Sequence, residues 1–414
     1  MSNQTPQTLK GFRDFLPPEK RNRDLVLKAL TATAETFGFE PLETPTLEYA
    51  ALLLGKYGDE ADKLVYTFTD KGDRAVGLRY DQTVPTARVL SQYQHVLPTY
   101  FRRYQTQNVF RADKPQKGRY REFQQFDIDI FGSTHTIADA EILSATYSAF
   151  MALGFTSTQL LINDRKSLVG RLTSFTTDQV SVFSLIQSID KLDKLSASQV
   201  IEELKAKGLN ADSAAKVIAS LDDVQIPENL QKIMALAKDL GVPQEALVFS
   251  PALARGLDYY TGMIFEIRIP EYTVGSVGGG GRYDTLIADL GGPQIPAVGM
   301  AFGFDRIVEA AMELHLLPAS IHTAQVLVTV FDDTTLTQSL NCAAALRKAG
   351  INCQIYPELD KMGKQIKLAN DQKIPYVVII GPEEAEKNLI TLKNLESGEQ
   401  TQCSVDDVVK VLRK

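Results

Sequence analysis

Cysteine and histidine are scarce in this 414-residue chain, and the shortage excludes a good deal. The three cysteines, Cys342, Cys353 and Cys403, are too far apart for a C-x-x-C pair, which argues against a zinc ribbon or a disulfide framework. They suit a reducing compartment. The four histidines, His95, His135, His315 and His322, stand in no metal-ligand spacing, so no metal site is expected. No apolar run approaches the roughly 18 residues that a membrane span needs. The start, Met1-Ser-Asn-Gln-Thr-Pro6, lacks the charged-then-apolar pattern of a secretory leader, so a cytoplasmic location without membrane contact is expected. Positive charge is in deficit too, with 44 Lys and Arg against 51 Asp and Glu, a net charge of −7. Taken alone, that balance argues against nucleic acid as a partner.

What is present suits a globular protein of two or three domains, 44% hydrophobic and 23% charged. Residues 1–164 mix strand and helix patterns. A helix is predicted over Leu25–Phe37 with its stop at Gly38, then a short strand from Phe39 to Pro45. Tyr66–Thr69 and Ala75–Arg79 alternate as strands around a polar turn. Residues 165–250 read as successive short helices, a helical insertion, with a capping box at Ser196 and Gln199. Residues 251–324 return to strands and glycine clusters. Residues 325–414 alternate strand and helix, which predicts a small α/β domain with a mostly parallel sheet.

Common catalytic signatures are missing. There is no G-x-x-x-x-G-K-[ST], no H-E-x-x-H and no G-x-S-x-G, and Gly278–Gly281 does not satisfy G-x-G-x-x-G because position 283 is tyrosine. Arginine chemistry remains. Between Arg102 and Arg121 seven basic residues face one acid, Asp113, and Tyr104, Phe110, Tyr120 and Phe123 are interleaved with them. The halves Tyr100–Phe110 and Tyr120–Gly132 predict an antiparallel hairpin whose basic tip suits a polyanion. Its base sets guanidinium beside aromatic ring, which suits a nucleotide. A second constellation is Ala254-Arg-Gly-Leu-Asp-Tyr-Tyr260; on a strand its adjacent tyrosines would face opposite ways, one toward a pocket and one into packing. A third, Gly299-Met-Ala-Phe-Gly-Phe-Asp-Arg306, reads as small residues on an incipient helix.

In this order the three resemble the class II aminoacyl-tRNA synthetases. The N-terminal helix and the strand ending at Pro45 resemble motif 1. Phe110-Arg-x-Asp113 with Arg119-Tyr-Arg-Glu-Phe123 resembles motif 2, and Gly303–Arg306 resembles motif 3. Ala254–Tyr260 and Gly280-Gly-Arg-Tyr-Asp284 are similar to the two signatures of the histidyl-tRNA synthetase family. The resemblance implies an α+β catalytic domain on an antiparallel sheet over 1–324, carrying the insertion at 165–250, and a C-terminal α/β anticodon-binding domain over 325–414. It implies a homodimer that activates L-histidine with ATP, Mg2+ accompanying the ATP, and passes the histidyl group to tRNA(His).

It also implies roles. Arg111 and Arg255 are the catalytic arginines at the α-phosphate. Asp81, Gln82, Thr83, Arg111, Gln125, Asp129, Arg255, Tyr259 and Tyr260 hold the histidine. Arg111, Asp113, Phe123 and Arg306 hold ATP, with Phe123 and Arg306 on either side of the adenine. Lys114, Gln116, Lys117 and Arg119 meet the tRNA acceptor end.

Two departures from the family pattern stand out. Tyr80-Asp-Gln-Thr83 replaces the Pro-Glu-Gly-Thr of bacterial relatives, and Asp113 replaces a common Glu. The competing reading is a non-catalytic paralogue, the regulatory subunit of ATP phosphoribosyltransferase. Retention of Arg111, Arg255 and Arg306 and of a terminal α/β domain favours the enzyme. The net charge then takes another meaning. The insertion holds 10 basic and 11 acidic residues and the terminal domain 11 and 12, so the deficit lies in the catalytic remainder, around a basic hairpin. An acidic body with a basic finger admits RNA at one place, with affinity that falls as salt rises.

Overall fold

The computed structural model describes residues 6–54, 63–116, 118–222, 224–254, 259–318 and 323–413. The chain divides into two compact units, Met1–Leu317 and Pro318–Lys414.

The first unit is built on an eight-stranded sheet. Its strands are β1 (Glu40–Pro41), β5 (Phe101–Phe110), β6 (Glu122–Phe131), β7 (Gln159–Asp164), β8 (Leu247–Phe249), β9 (Met263–Arg268), β10 (Gly278–Arg282) and β11 (Ala297–Phe302). The order is β1-β5-β6-β11-β10-β9-β7-β8. The six central strands pair antiparallel, and β1 and β8 add a parallel edge at either end. A smaller sheet of β2 (Leu47–Tyr49), β4 (Ala75–Leu78) and β3 (Thr67–Thr69) holds the predicted hairpin. The first helix, Pro17–Thr36, begins about two turns before the predicted Leu25. Pro17 and Pro18 open it where the first turn needs no backbone donor.

Pleating decides the two faces of the main sheet. Phe126, Ile128 and Ile130 of β6 point into the main hydrophobic core, where Phe126 meets Phe302 edge-on at 5.7 Å and Tyr104 in a stack at 5.8 Å. Helices Pro17–Thr36 and Thr136–Ala152 cover that face. Burying each such side chain is worth about 2–3 kcal/mol. Gln125, Asp127 and Asp129 point the other way.

The helical stretch divides between two cores. Leu168 through Leu221 form a cluster of their own, whereas Leu230, Ile233, Met234 and Ala237 of the helix Glu228–Asp239 pack into the main core. The capping box at Ser196 and Gln199 opens the helix Ala197–Ala206.

The second unit has a five-stranded sheet ordered β13 (Cys353–Ile355), β12 (Val326–Val328), β14 (Tyr376–Ile379), β15 (Ile390–Asn394) and β16 (Gln400–Cys403). Only β13-β12-β14 is parallel; β14-β15-β16 is antiparallel, so the sheet is mixed and the expectation of a mostly parallel one is corrected. The cause is the hairpin that closes at Glu396–Glu399, whose second strand, Gln400–Cys403, is polar and carries almost no apolar alternation. Ser404 caps the last helix, Val405–Leu412.

Candidate active site

Beside the hairpin of β5 and β6 lies a cavity of about 400 Å³. Arg111 leaves the end of β5, donates from Nε to the Tyr80 carbonyl at 3.2 Å, and sets its guanidinium 4.3 Å from the centre of the Tyr80 ring and 5.1 Å from that of Phe123. Asp81, Thr83, Arg111, Asp113, Arg119, Phe123, Gln125, Tyr259, Tyr260 and Arg306 all line the cavity, so residues scattered over more than two hundred positions converge on one space. Strand β10 supplies a wall with no side chains, Gly278 to Gly280.

Other expected residues lie elsewhere. Gln82 is fully buried behind the wall, donating to the Gln125 carbonyl at 3.1 Å. Asp129 lies beneath the floor: Arg103 sits 2.7 Å from its Oδ2 and Tyr283 donates to its Oδ1. Lys114 and Gln116 are at the hairpin tip and do not line the cavity, whereas Arg119, also at the tip, lines it and lies 3.4 Å from Asp113. Arg255 and Lys117 fall outside the described residues.

Three local readings are corrected. Tyr259 and Tyr260 are not on a strand, so pleating does not separate them; their rings lie 4.9 Å apart and both line the cavity. Gly299–Phe302 belong to β11, and the helix starts only at Phe304, because Gly299 must sit flat against β6: a Cβ there would come 1.8 Å from Asp129 Oδ1. The basic hairpin is less basic than its composition, since Arg103 is buried against Asp129 and Arg102 pairs with Glu141. Among the described residues of the hairpin, positive charge open to a ligand is concentrated toward the tip.

Next to Gln125, outside the cavity lining, lies a residue that the sequence motifs do not mark. Asp127 is buried and faces the same way as Gln125, whose Nε2 is 3.4 Å from its Oδ1. Its Oδ2 has no hydrogen-bond partner among the described residues. Burial pushes this carboxyl well above the usual range, and the charges of Asp129 and Asp81 add to the shift against the opposing Arg103 and Arg111. Burial also raises Asp129, while Arg103 and the Tyr283 hydroxyl hold it back. The Tyr259 phenol is raised well above its ordinary value by burial and by the neighbouring Tyr260, Asp81 and Asp129. The period-two spacing of Gln125, Asp127 and Asp129 is the signal that places all three on one face.

An antiparallel sheet bearing an arginine-lined cavity, with no Cys or His among the described lining residues and its one serine, Ser276, donating to the Gly278 carbonyl at 2.7 Å, is the site of a nucleotide-dependent ligase of the aminoacyl-tRNA synthetase kind. The comparisons with known proteins specify it. Residues 11–307 match the family model of histidyl-tRNA synthetase, and residues 325–414 match an anticodon binding domain. A histidine–tRNA ligase of Cytophaga hutchinsonii is 37% identical over 450 residues, covering 98% of this chain and 99% of that protein. One of Wolinella succinogenes is 37% identical over 435 residues, covering 99% and 98%. The crystal structure of histidyl-tRNA synthetase from Nostoc sp. PCC 7120 aligns with a TM-score of 0.85 at 30% identity over 100% of this chain and 99% of that one. The chain belongs to the histidyl-tRNA synthetase family.

A Bacillus halodurans C structure described as an ATP phosphoribosyltransferase regulatory subunit/histidyl-tRNA synthetase aligns with a TM-score of 0.72 at 20% identity, a likeness of fold alone. The regulatory-subunit reading is the less supported one.

Proposed function

We propose that the cavity carries out histidine activation by ATP, the first half of a histidine–tRNA ligase reaction, with the second half completed on tRNA(His). One observation carries this reading. Arg111, its guanidinium 5.1 Å from the centre of the Phe123 ring, enters a single space lined also by Arg306, Asp81, Gln125 and the two tyrosines, an aromatic and arginine set for a nucleotide beside a polar set for an amino acid.

In this reading the carboxylate of L-histidine is itself the nucleophile. One carboxylate oxygen attacks the α-phosphorus of ATP, the bond to the β-phosphate oxygen breaks, and pyrophosphate leaves with that electron pair. The 3′-terminal hydroxyl of tRNA then attacks the acyl carbon and releases AMP. The protein's work is positioning and charge stabilisation. Arg111 bridges the α-phosphate and the histidine carboxylate, and Arg255 approaches from the other side. Asp81 and Thr83 take the α-ammonium group, and Gln82 backs them from behind the wall. Gln125, Tyr259 and Tyr260 border the imidazole, with Asp129 beneath. Phe123 and Arg306 enclose the adenine, and Asp113 borders the ATP near Arg119. A pocket that bonds both ring nitrogens rejects side chains lacking them, since its buried polar groups would be left unpaired.

Mg2+ enters as the ATP salt. Among the described residues no group of three or more His, Cys, Asp or Glu could hold a metal, and the wall carboxylate Asp305 is committed to Arg13, Arg23 and the Gln124 amide. In this reading the phosphates supply the ligands, and MgATP is the substrate.

Lys114, Gln116, Lys117 and Arg119 meet the acceptor end of tRNA, and the unit Pro318–Lys414 meets the anticodon; the place of Lys114, Gln116 and Arg119 at the hairpin tip and the match of 325–414 to an anticodon binding domain support this. A second copy of the chain covers the small sheet. Tyr49 and Phe68 stand on either side of Val76 there, 61% and 48% exposed. The reaction belongs to the cytoplasm, which suits three free cysteines. Among the described residues no helix is long and apolar enough to cross a membrane.

Histidine-dependent exchange of pyrophosphate into ATP tests the reading. Exchange with histidine and not with other amino acids is expected; equal exchange with several, or none with histidine, would overturn it.

A further inference from the structure

Two arginines, one in the segment before the first helix and one within that helix, reach the site in a way that the reaction does not explain. Arg13 lies with its guanidinium 3.2 Å from the centre of the Tyr120 ring and donates from Nη2 to Asp305 Oδ1 at 2.7 Å. Arg23, buried on the first helix, donates to the same Oδ1 and reaches Gln124 Oε1 at 3.1 Å. The other oxygen, Oδ2, accepts the backbone N–H of Gln124 at 2.9 Å.

These bonds meet at a revealing place. Gln124 follows Phe123 directly, and Asp305 precedes Arg306 directly. One carboxylate thus ties the backbone beside Phe123 to the first turn of the helix Phe304–Glu313, from which Arg306 projects and donates to the Ser276 carbonyl at 2.8 Å. A bare carboxylate in this half-dry setting would be costly, and the two arginines make its charge tolerable.

The segment is also pinned by its backbone. The Arg121 amide donates to the Gly11 carbonyl at 2.9 Å, and Arg121 Nη1 reaches the Lys10 carbonyl at 3.3 Å. Gly11 has φ +91°, and a Cβ there would lie 2.9 Å from Arg121 Cδ and from Pro115 Cγ, so only glycine lets the segment lie this close to the hairpin.

We propose that Arg13 is a positioning residue for ATP: by stacking on Tyr120 and pairing with Asp305 it fixes the gap between Phe123 and Arg306 into which the purine enters. The proposal rests on the assignment of that end of the cavity to adenine. Arg13 touches no substrate in this reading. Its effect passes through Asp305 and Tyr120, and it leaves the histidine end, with Asp81, Gln125 and Tyr259, untouched. Two requirements act on Arg13 together, a charge for Asp305 and a flat cation for Tyr120. Lysine satisfies the first alone.

The experiment is histidine-dependent ATP–pyrophosphate exchange with the full chain, with each substrate varied in turn. Wild-type exchange first establishes the reaction; without it the functional assignment itself fails, whatever the variants do. Arg13→Ala is expected to raise KM for ATP roughly tenfold or more, and Arg13→Lys by a smaller factor, both with KM for histidine within about twofold of wild type. A general loosening of the fold would raise both constants together. An unchanged KM for ATP in folded Arg13→Ala, or an equal rise in both constants, would overturn the proposal. Should Arg13→Ala fail to fold by its thermal transition, Arg13→Lys decides: a selective rise for ATP supports the positioning role, and wild-type constants overturn it.

Discussion

Arg103 and Asp129 face each other directly across β5 and β6, with Arg103 Nη2 2.7 Å from Asp129 Oδ2 and both side chains buried. Tyr283, just past the end of β10, completes the cluster by donating to Asp129 Oδ1. A buried ion pair adds little net stability, but removing one partner strands the other. Arg103→Leu is expected to cost about 3–5 kcal/mol in a denaturant titration. A cost below about 1 kcal/mol would show that Asp129 does not depend on it.

Asp127 leads to a prediction in pH. Its pKa is raised by burial, so the folded chain holds this proton at pH values where the unfolded chain has released it. The group's contribution to stability is therefore fully present below the ordinary carboxylate pKa. It declines as pH rises from there to the raised folded value. Asp127→Asn removes the titration. Near neutral pH the variant is expected to melt higher than wild type, with the gap closing near about pH 4. Melting curves across that range check it; a gap that widens toward acid would contradict the assignment.

Arg111→Ala should leave a folded protein whose exchange rate falls by about 10²–10³-fold, the reduction typical of removing a donor aimed at developing charge. Arg111→Lys should recover little, because a single ammonium cannot bridge phosphate and carboxylate as a planar fork does. Steady-state exchange assays with both variants decide this.

At Gly299 the close approach of β11 to β6 leaves no room for a methyl group, since a Cβ would fall 1.8 Å from Asp129 Oδ1 and 2.9 Å from the Ile128 carbonyl. Gly299→Ala is expected to cost about 3 kcal/mol, at the upper end of overpacking effects, and to weaken histidine binding. Chemical denaturation and KM for histidine measure the two.

For the hairpin tip, Lys114→Ala with Arg119→Ala should reduce the slope of log affinity for tRNA against log salt by about 2, near one for each phosphate that is no longer neutralised. Exchange activity without tRNA should change less than aminoacylation. An unchanged salt slope would place the acceptor end elsewhere on the protein.

The residues by themselves determined the alternation of elements, the hairpin of β5 and β6, the short helices after residue 165 and the arginine motifs, because those depend on local periodicity and on which side chains suit phosphate. Tertiary structure alone decided which of the arginines are available. Arg102 and Arg103 read as part of a basic run, yet their partners Glu141 and Asp129 lie 39 and 26 positions away, and only the pairing of strands and the covering helix brings them within reach. The same holds at Arg13, whose partner Asp305 is 292 positions distant, and at Asp127, whose proton affinity comes from burial that no spacing reveals. Charge is written in the sequence. Whether it faces water, a phosphate or another charge is set by packing, because the energy of a charge depends on its surroundings more than on its own identity.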